Sequence, residues 1–265
     1  MPSTEEEWQS VAERFYRKWQ YPLCLGGMDG KHVVLKKPAN SGSTFYNYKH
    51  HFSIVLLAVV DADYRFLYVD VGCQGRISDG GDFRNSTLYD ALEYNALNIP
   101  PPQNIPNTAI MSPFVLVADD AFPLTTNIMK PFAQRGLNQR ERVFNYRLSR
   151  ARRVSENAFG ILVSRFRVFK VGMEVKPDKA KDVVLAATVL HNYLLRRSAA
   201  PFSIASRSSM ENDEDAPTPS HDFGQLRRIA PCTHKNASLT AKAVRSQFYE
   251  YFMSAAGQVS WQWNL

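Results

Sequence analysis

The pattern of apolar and polar positions predicts a chain of helices and short apolar strands. Apolar residues recur at helical spacing in five stretches, namely residues 1–20, about 79–92, 145–166, 177–197 and 239–255. Continuous apolar or β-branched runs predict four strands, over residues 25–36, 52–60, 65–71 and 114–118. The predicted order of the central elements is therefore β-β-β-α-β-α, which indicates an α/β fold.

The connection between the second and third predicted strands is a short turn. Asp61-Ala62-Asp63 is the kind of sequence that reverses the chain between two strands. We therefore expect the first three strands to be antiparallel neighbours. The fourth strand, over residues 114–118, is apolar throughout, which is typical of a strand buried on both faces.

Length and composition exclude several classes of protein. The chain has 265 residues, of which 45% are hydrophobic and 22% charged, so collagen-like, disordered and coiled-coil chains are excluded. No run approaches the roughly 18 apolar residues of a membrane span, and the acidic start is unlike a signal peptide. We expect a soluble, intracellular protein with no membrane partner. Cys24, Cys73 and Cys232 lie far apart and predict reduced thiols.

Two acidic residues stand in apolar strand sequences, and a third lies in the long helix. Asp29 lies inside the first strand, Asp119 directly follows the fourth, and Glu156 lies in the long helix. Burying a carboxylate is costly unless a cation or hydrogen bonds compensate it. Each acid also has a structural interpretation: a turn residue for Asp29, a turn or helix cap for Asp119, and an intrahelical ion pair for Glu156.

Taken together, the three acids suggest a metal centre. Three carboxylates can hold two hard divalent ions, of which one activates a nucleophile and the other stabilises the leaving oxygen of a phosphodiester. Mg²⁺ or Mn²⁺ suits this arrangement, and we expect two ions. A hydrolase with a carboxylate pair as general acid and base is another interpretation, and it predicts activity that needs no metal.

Three segments resemble the signature blocks of PIF/Harbinger transposases and of the domesticated nucleases derived from them. They are Gly26-Gly27-Met28-Asp29-Gly30-Lys31-His32, Val117-Ala118-Asp119-Asp120-Ala121-Phe122-Pro123-Leu124 and the long third block from Asn145 to Leu162. The resemblance runs from about Trp8 to Arg197, and the third block is the most specific. It implies an RNase H-like fold, a mixed sheet of three antiparallel strands plus parallel strands flanked by helices.

The resemblance also implies an active site. The family's DDE triad maps onto Asp29, Asp119 and Glu156, which would be both catalytic residues and metal ligands. A further family aspartate matches Asp79, either as an additional metal ligand or as a helix cap, since Ser78-Asp79 is a good N-cap sequence. The expected activity is metal-dependent cleavage of DNA by a two-metal DDE mechanism. The alternative is a domesticated, non-catalytic module that binds DNA or protein and retains the fold.

Positive charge is concentrated around the third acid. The net charge of +7 is modest, but arginines crowd the helix before Glu156. Such a stripe can neutralise phosphates without reading base sequence. The residues we expect to contact DNA are Arg147, Arg150, Arg152, Arg153 and, in a second basic and aromatic segment, Lys49. The alternative is a solvated helix face with some arginines paired to acids. His32 and His191 are expected to be structural.

The domain organisation follows from these assignments. We predict a packing helix over residues 1–22, a DDE endonuclease domain over 23–198, a flexible linker rich in Ser, Pro and acidic residues over 199–238, and a C-terminal helix and aromatic tail over 239–265. Family transposases usually carry a helix-turn-helix region before the first acid, and we expect such a region to be missing from this chain. A Myb/SANT-like partner that supplies DNA binding and nuclear import is implied by the resemblance, as is a nuclear location.

Overall fold

The computed structural model describes residues 1–74, 83–197, 226–228 and 237–263. Asp79 and most of the predicted linker over 199–238 lie outside the described residues.

Five helices and eight strands make up the described fold. The helices are α1 (Glu5–Trp19), α2 (Thr87–Glu93), α3 (Gln139–Arg165), α4 (Pro177–Arg197) and α5 (Leu239–Met253). The strands are β1 (Cys24–Leu35), β2 (Phe52–Val60), β3 (Phe66–Gln74), β4 (Gln103–Asn104), β5 (Met111–Ser112), β6 (Val115–Val117), β7 (Ile128–Met129) and β8 (Leu226–Arg228). Short 3₁₀ turns cover Arg167–Phe169 and Ser260–Trp263. None of the described helices has the length and apolar character needed to cross a membrane.

A mixed sheet forms the centre of the molecule. Its strand order is β3-β2-β1-β6-β7, in which β1, β2 and β3 are antiparallel and β6 and β7 run parallel to β1. Strand β8 pairs antiparallel with β1, and β4 pairs with β5 in a separate small sheet. Three antiparallel strands followed by parallel ones, with helices around them, confirm the predicted RNase H-like α/β fold.

Strand β1 is the central strand, and every one of its residues is buried. Helix α3 lies so close to it that Gly27 has no room for a side chain. A Cβ atom at Gly27 would lie 2.7 Å from Val154 Cγ2 and 3.4 Å from the carbonyl oxygen of Arg152. Glycine at this position therefore sets the distance between β1 and α3.

Helix α3 begins earlier than the apolar pattern predicts. It starts at Gln139, six residues before the predicted start, because Asn138 and Glu141 form a capping box. Leu88 and Leu92 lie in a helix that starts at Thr87, where the Ser86 hydroxyl accepts the N–H of Tyr89. The start that the sequence predicts near residue 79 lies outside the described residues.

The C-terminal segment is attached to α3 through Arg147. This side chain is only 1% exposed, and its guanidinium donates to the carbonyl oxygens of Gln20 and Gly257 and to Oε1 of Gln262. It also lies 4.4 Å from the ring centroid of Phe252. One cation thus joins the end of α1, the long helix and the C-terminal turn.

Candidate active site

Asp29 lies in the middle of β1 and faces α3. Side chains alternate along a strand, so Asp29 and Lys31 share the face on which Gly27 meets the helix. Asp29 is 3% exposed, and its Oδ1 accepts the N–H of Gly30 at 2.9 Å. The buried ammonium of Lys31 lies 2.8 Å from Asp29 Oδ2 and 5.6 Å from the ring centroid of Phe159 in α3. Lys31 therefore balances the charge of Asp29.

Asp119 lies two residues beyond the end of β6, the parallel neighbour of β1, and close to Asp29. Gly27 pairs with Val117 in the register of β1 and β6. Asp29 and Asp119 each come two residues later, so they are the next residues that share this face of the sheet. Neighbouring strands lie about 4.8 Å apart. Asp119 Oδ1 accepts the N–H of Ala121 at 3.0 Å, which fixes the carboxylate at the end of the strand. The two aspartates are thus held at the same edge of the site.

The proximity of the two aspartates changes the acidity of Asp119. Burial and the negative charge of Asp29 together raise the pKa of Asp119 to about 6, although the positive charge of Arg152 acts in the opposite direction. A carboxylate that is ordinarily ionised by pH 5 is therefore partly protonated near pH 6 in the metal-free protein.

Glu156 reaches the same site from α3. It is 8% exposed, and its Oε1 accepts a hydrogen bond from the Arg152 guanidinium at 2.9 Å, one helical turn away. Burial lowers the pKa of Arg152, but the carboxylates of Glu156, Asp29 and Asp119 outweigh that effect and raise it. Arg152 therefore lies among all three predicted acids.

The fit of these residues to a divalent metal ion is partial. Asp29 and Asp119 offer adjacent carboxylate oxygens, the ligands that Mg²⁺ and Mn²⁺ prefer, and a cation between them would relieve their repulsion. Glu156 instead uses Oε1 to bind Arg152. Among the described residues, no three His, Cys, Asp or Glu side chains are arranged as a metal-binding group. Asp79 lies outside the described residues.

The basic residues expected to contact DNA do not share one surface. Arg147 is enclosed in the interior and Arg152 faces the acids. Arg150 stacks on Trp261, with 4.2 Å from its guanidinium carbon to the ring centroid. Arg153 is exposed on the outer face of α3. Lys49 lies in the loop that connects β1 to β2, and its Nζ is 5.5 Å from the centroid of the exposed Tyr48 ring.

Sequence reasoning misses Lys31, although a cation two positions after Asp29 on a strand lies on the same face. For Arg152 the sequence offers two alternatives, a DNA contact and an intrahelical ion pair with Glu156, and the structure has the ion pair. Both signals are simple spacings.

Comparison with protein families identifies the family of the chain. The family model of the DDE superfamily endonuclease matches residues 28–192, a segment that contains Asp29, Asp119 and Glu156. The chain belongs to this DDE endonuclease family. No solved structure matches the chain.

Individual relatives agree with the family assignment. The chain is 28% identical to Arabidopsis thaliana "Protein ALP1-like" over 71% of its own length and 48% of the relative. It is 26% identical to human "Putative nuclease HARBI1" over 79% of its own length and 57% of the relative. These matches confirm the resemblance to Harbinger-derived nucleases. The chain spans about half the length of the relatives it matches.

Proposed function

We propose that this protein of the DDE endonuclease family is a divalent-metal-dependent nuclease that cleaves DNA phosphodiester bonds by the two-metal DDE mechanism. The observation that carries the proposal is the convergence of three acids: Asp29 on β1, Asp119 just beyond the parallel strand β6, and Glu156 on helix α3, whose Arg152 faces all three. When bound, two divalent ions activate a nucleophile and stabilise the leaving oxygen of a phosphodiester.

The residues of the chain have distinct parts in this proposal. Asp29 and Asp119 would hold Mg²⁺ or Mn²⁺, and Glu156 would complete the second ion's ligands. Lys31 compensates the buried negative charge of Asp29, because its ammonium lies 2.8 Å from Oδ2. Asp119 takes up or releases a proton near pH 6, so its readiness to bind a cation depends on pH.

The exposed basic side chains would position the DNA strand. Arg153 lies on the outer face of α3, next in sequence to Arg152 at the acids, and is the best placed of the predicted phosphate contacts. Lys49 and the exposed ring of Tyr48 offer a second contact in which a cation neutralises phosphate and an aromatic ring stacks on a base. Arg147 is left out of this part of the proposal because its side chain is buried and both of its terminal nitrogens donate to groups inside the protein.

The proposal extends to the setting in which the protein works. The basic residues named above would supply phosphate contacts with little base readout. A Myb/SANT-like partner would then supply recognition of a DNA sequence, and the protein would act in the nucleus.

One observation favours a second candidate function. Glu156 is bound to Arg152, so the acids are partly neutralised by the protein itself. A domesticated module that binds DNA or protein without cutting it could retain the same fold and the same acids.

Nicking of supercoiled plasmid with Mg²⁺, with Mn²⁺ and with EDTA tests the proposal. The matched variants are Asp119→Ala and Asp120→Ala, because Asp120 is the next residue and its side chain is exposed. We expect wild type and Asp120→Ala to nick with metal only, and Asp119→Ala to fall to background. Equal nicking by wild type and Asp119→Ala would contradict the proposal, and nicking in EDTA would favour a metal-independent hydrolase. DNA binding without nicking by wild type would support the binding module.

A further inference from the structure

The ion pair of Arg152 and Glu156 lies at the border between the interior and solvent. The side chains of Arg152 and Glu156 are 14% and 10% exposed, and their contact is 2.9 Å. Charge-assisted hydrogen bonds of this kind are roughly twice as strong as neutral ones, and partial burial limits screening by salt. The pair therefore holds Glu156 in one orientation.

Arg152 also acts on the other two acids. The carboxylates of Asp29 and Asp119 both stabilise its positive charge, and Arg152 in turn favours the ionised form of Asp119. A single guanidinium thus partly compensates three carboxylates, which is the electrostatic task of a divalent cation.

Arg152 and a divalent ion compete for the carboxylate of Glu156. The guanidinium occupies Oε1, and its positive charge repels a second cation from the space among the acids. Lys31 differs because its side chain is only 1% exposed and its contact is with Asp29. Arg152 borders solvent, with its side chain 14% exposed.

We propose that Arg152 is a positioning residue that holds Glu156 in the metal-free protein and competes with the divalent ion for it. Glu156 becomes a ligand only after Arg152 has released it. This inference rests on the proposed function, which identifies the ion as Mg²⁺ or Mn²⁺. Arg152 then binds Glu156, and it does not make the contact with DNA phosphate that its place among the arginines of the helix predicts.

Titration calorimetry with Mn²⁺ on the whole chain tests the competition. The matched pair is Arg152→Gln and Arg153→Gln, because both remove one positive charge from adjacent positions and only Arg152 touches Glu156. We expect Arg152→Gln to bind Mn²⁺ about tenfold more tightly than wild type, the equivalent of one charged hydrogen bond. Arg153→Gln should change the affinity by less than about threefold.

The gain in affinity should depend on Glu156. In the double variant Arg152→Gln/Glu156→Gln we expect the tenfold gain to disappear. A merely structural role for Arg152 predicts the opposite sign, since loosening the site would weaken Mn²⁺ binding. Equal or weaker binding by folded Arg152→Gln overturns the inference, and so does the absence of Mn²⁺ binding by both wild type and this variant.

A second measurement covers the case in which Arg152→Gln does not fold. The Nε–H resonance of Arg152, identified by its loss in Arg152→Lys, is followed in the wild-type protein during a Mg²⁺ titration. A shift that saturates with metal binding supports release of Glu156, and an unchanged resonance at saturating Mg²⁺ overturns it. Both experiments measure metal binding and not cleavage. Plasmid nicking measures cleavage, so a failure of the proposed function can be told apart from a failure of this inference.

Discussion

Asp119 lies beside Asp29, two residues beyond the end of the parallel strand that neighbours it, and the negative charge of Asp29 opposes ionisation of Asp119. The register that pairs Gly27 with Val117 brings them together, and the hydrogen bond from Ala121 holds Asp119 in place. The fold therefore maintains a repulsion that a bound cation would remove. This relationship makes the site's behaviour sensitive to pH.

The raised pKa of Asp119 predicts how stability changes with pH in EDTA. Its pKa of about 6 in the folded chain exceeds the unfolded value near 4, so the folded state binds more protons between these values. The contribution of Asp119 to the free energy of unfolding therefore falls as pH rises from 4 to 6. We expect wild type to lose up to about 3 kcal/mol relative to Asp119→Asn over this range.

Urea unfolding of both proteins at several pH values measures this difference, because the other titrating groups cancel. A difference that does not change with pH would contradict the pKa of Asp119. Metal binding should have the opposite trend: Mn²⁺ affinity should rise about tenfold per unit below pH 6 and level off above it, since the ion needs the ionised carboxylate.

Substitution of Gly27 should separate the strand from the helix. A Cβ at this position would lie 2.7 Å from Val154 Cγ2, so Gly27→Ala must push α3 away from β1. We expect a loss of about 1–3 kcal/mol in the free energy of unfolding, and a loss of nicking because Glu156 moves with the helix. Chemical denaturation and the nicking assay measure the two effects.

Two further variants make this test specific. Gly172→Ala is the control, because its Cβ would meet only ordinary contacts of 3.4 Å or more. Gly27→Ala/Val154→Ala should recover part of the stability, since it removes the methyl group that clashes. Full stability and activity of Gly27→Ala would show that the helix is not held at this distance.

Arg153 should contribute to DNA affinity through phosphate alone. We expect Arg153→Ala to lower affinity for unrelated duplexes equally and to reduce the slope of log affinity against log salt by roughly 1. Fluorescence anisotropy across a salt series measures both. Arg196→Ala is the control, because this exposed residue is in α4, which packs on β3 at the other edge of the sheet. Equal slopes for the two variants would remove Arg153 from the DNA contact.

Arg147 should be required for stability and not for phosphate binding. Arg147→Leu leaves buried acceptors at Gln20, Gly257 and Gln262 without their donor, and we expect a loss of about 3 kcal/mol in the free energy of unfolding. Arg150→Leu, which loses a half-exposed stacking contact with Trp261, should cost less than about 1 kcal/mol. Similar costs would argue against Arg147 as the attachment point.

The sheet and the family could be predicted from the sequence because their signals are local. Residues 52–60 form β2 as predicted, and residues 177–197 form α4. The relation of Asp29 to Asp119 also follows from strand order once β1 and β6 are parallel neighbours. Glu156 is predicted from its place in the long helix, and the family's third motif includes the same residue.

The sequence did not predict the environment of each arginine on α3, because that environment depends on what packs against each face of the helix. Arg147, Arg150, Arg152 and Arg153 look alike as a run of charge, but the structure places them in the interior, against Trp261, among the acids and in solvent, respectively. Only the positions of β1 and of the C-terminal turn determine those four environments. Apolar periodicity along α3 could not do so, because arginine breaks the pattern wherever it is buried.

The attachment of three distant segments to one guanidinium also affects how the protein is made. Arg147 bonds to Gln20, 127 positions earlier, and to Gln262, 115 positions later. During synthesis Gln262 leaves the ribosome long after Gln20. The guanidinium of Arg147 therefore lacks one of its hydrogen-bond partners until the C-terminal turn has emerged. We expect the nascent chain to stay open at this point, with contacts of such long range closing late.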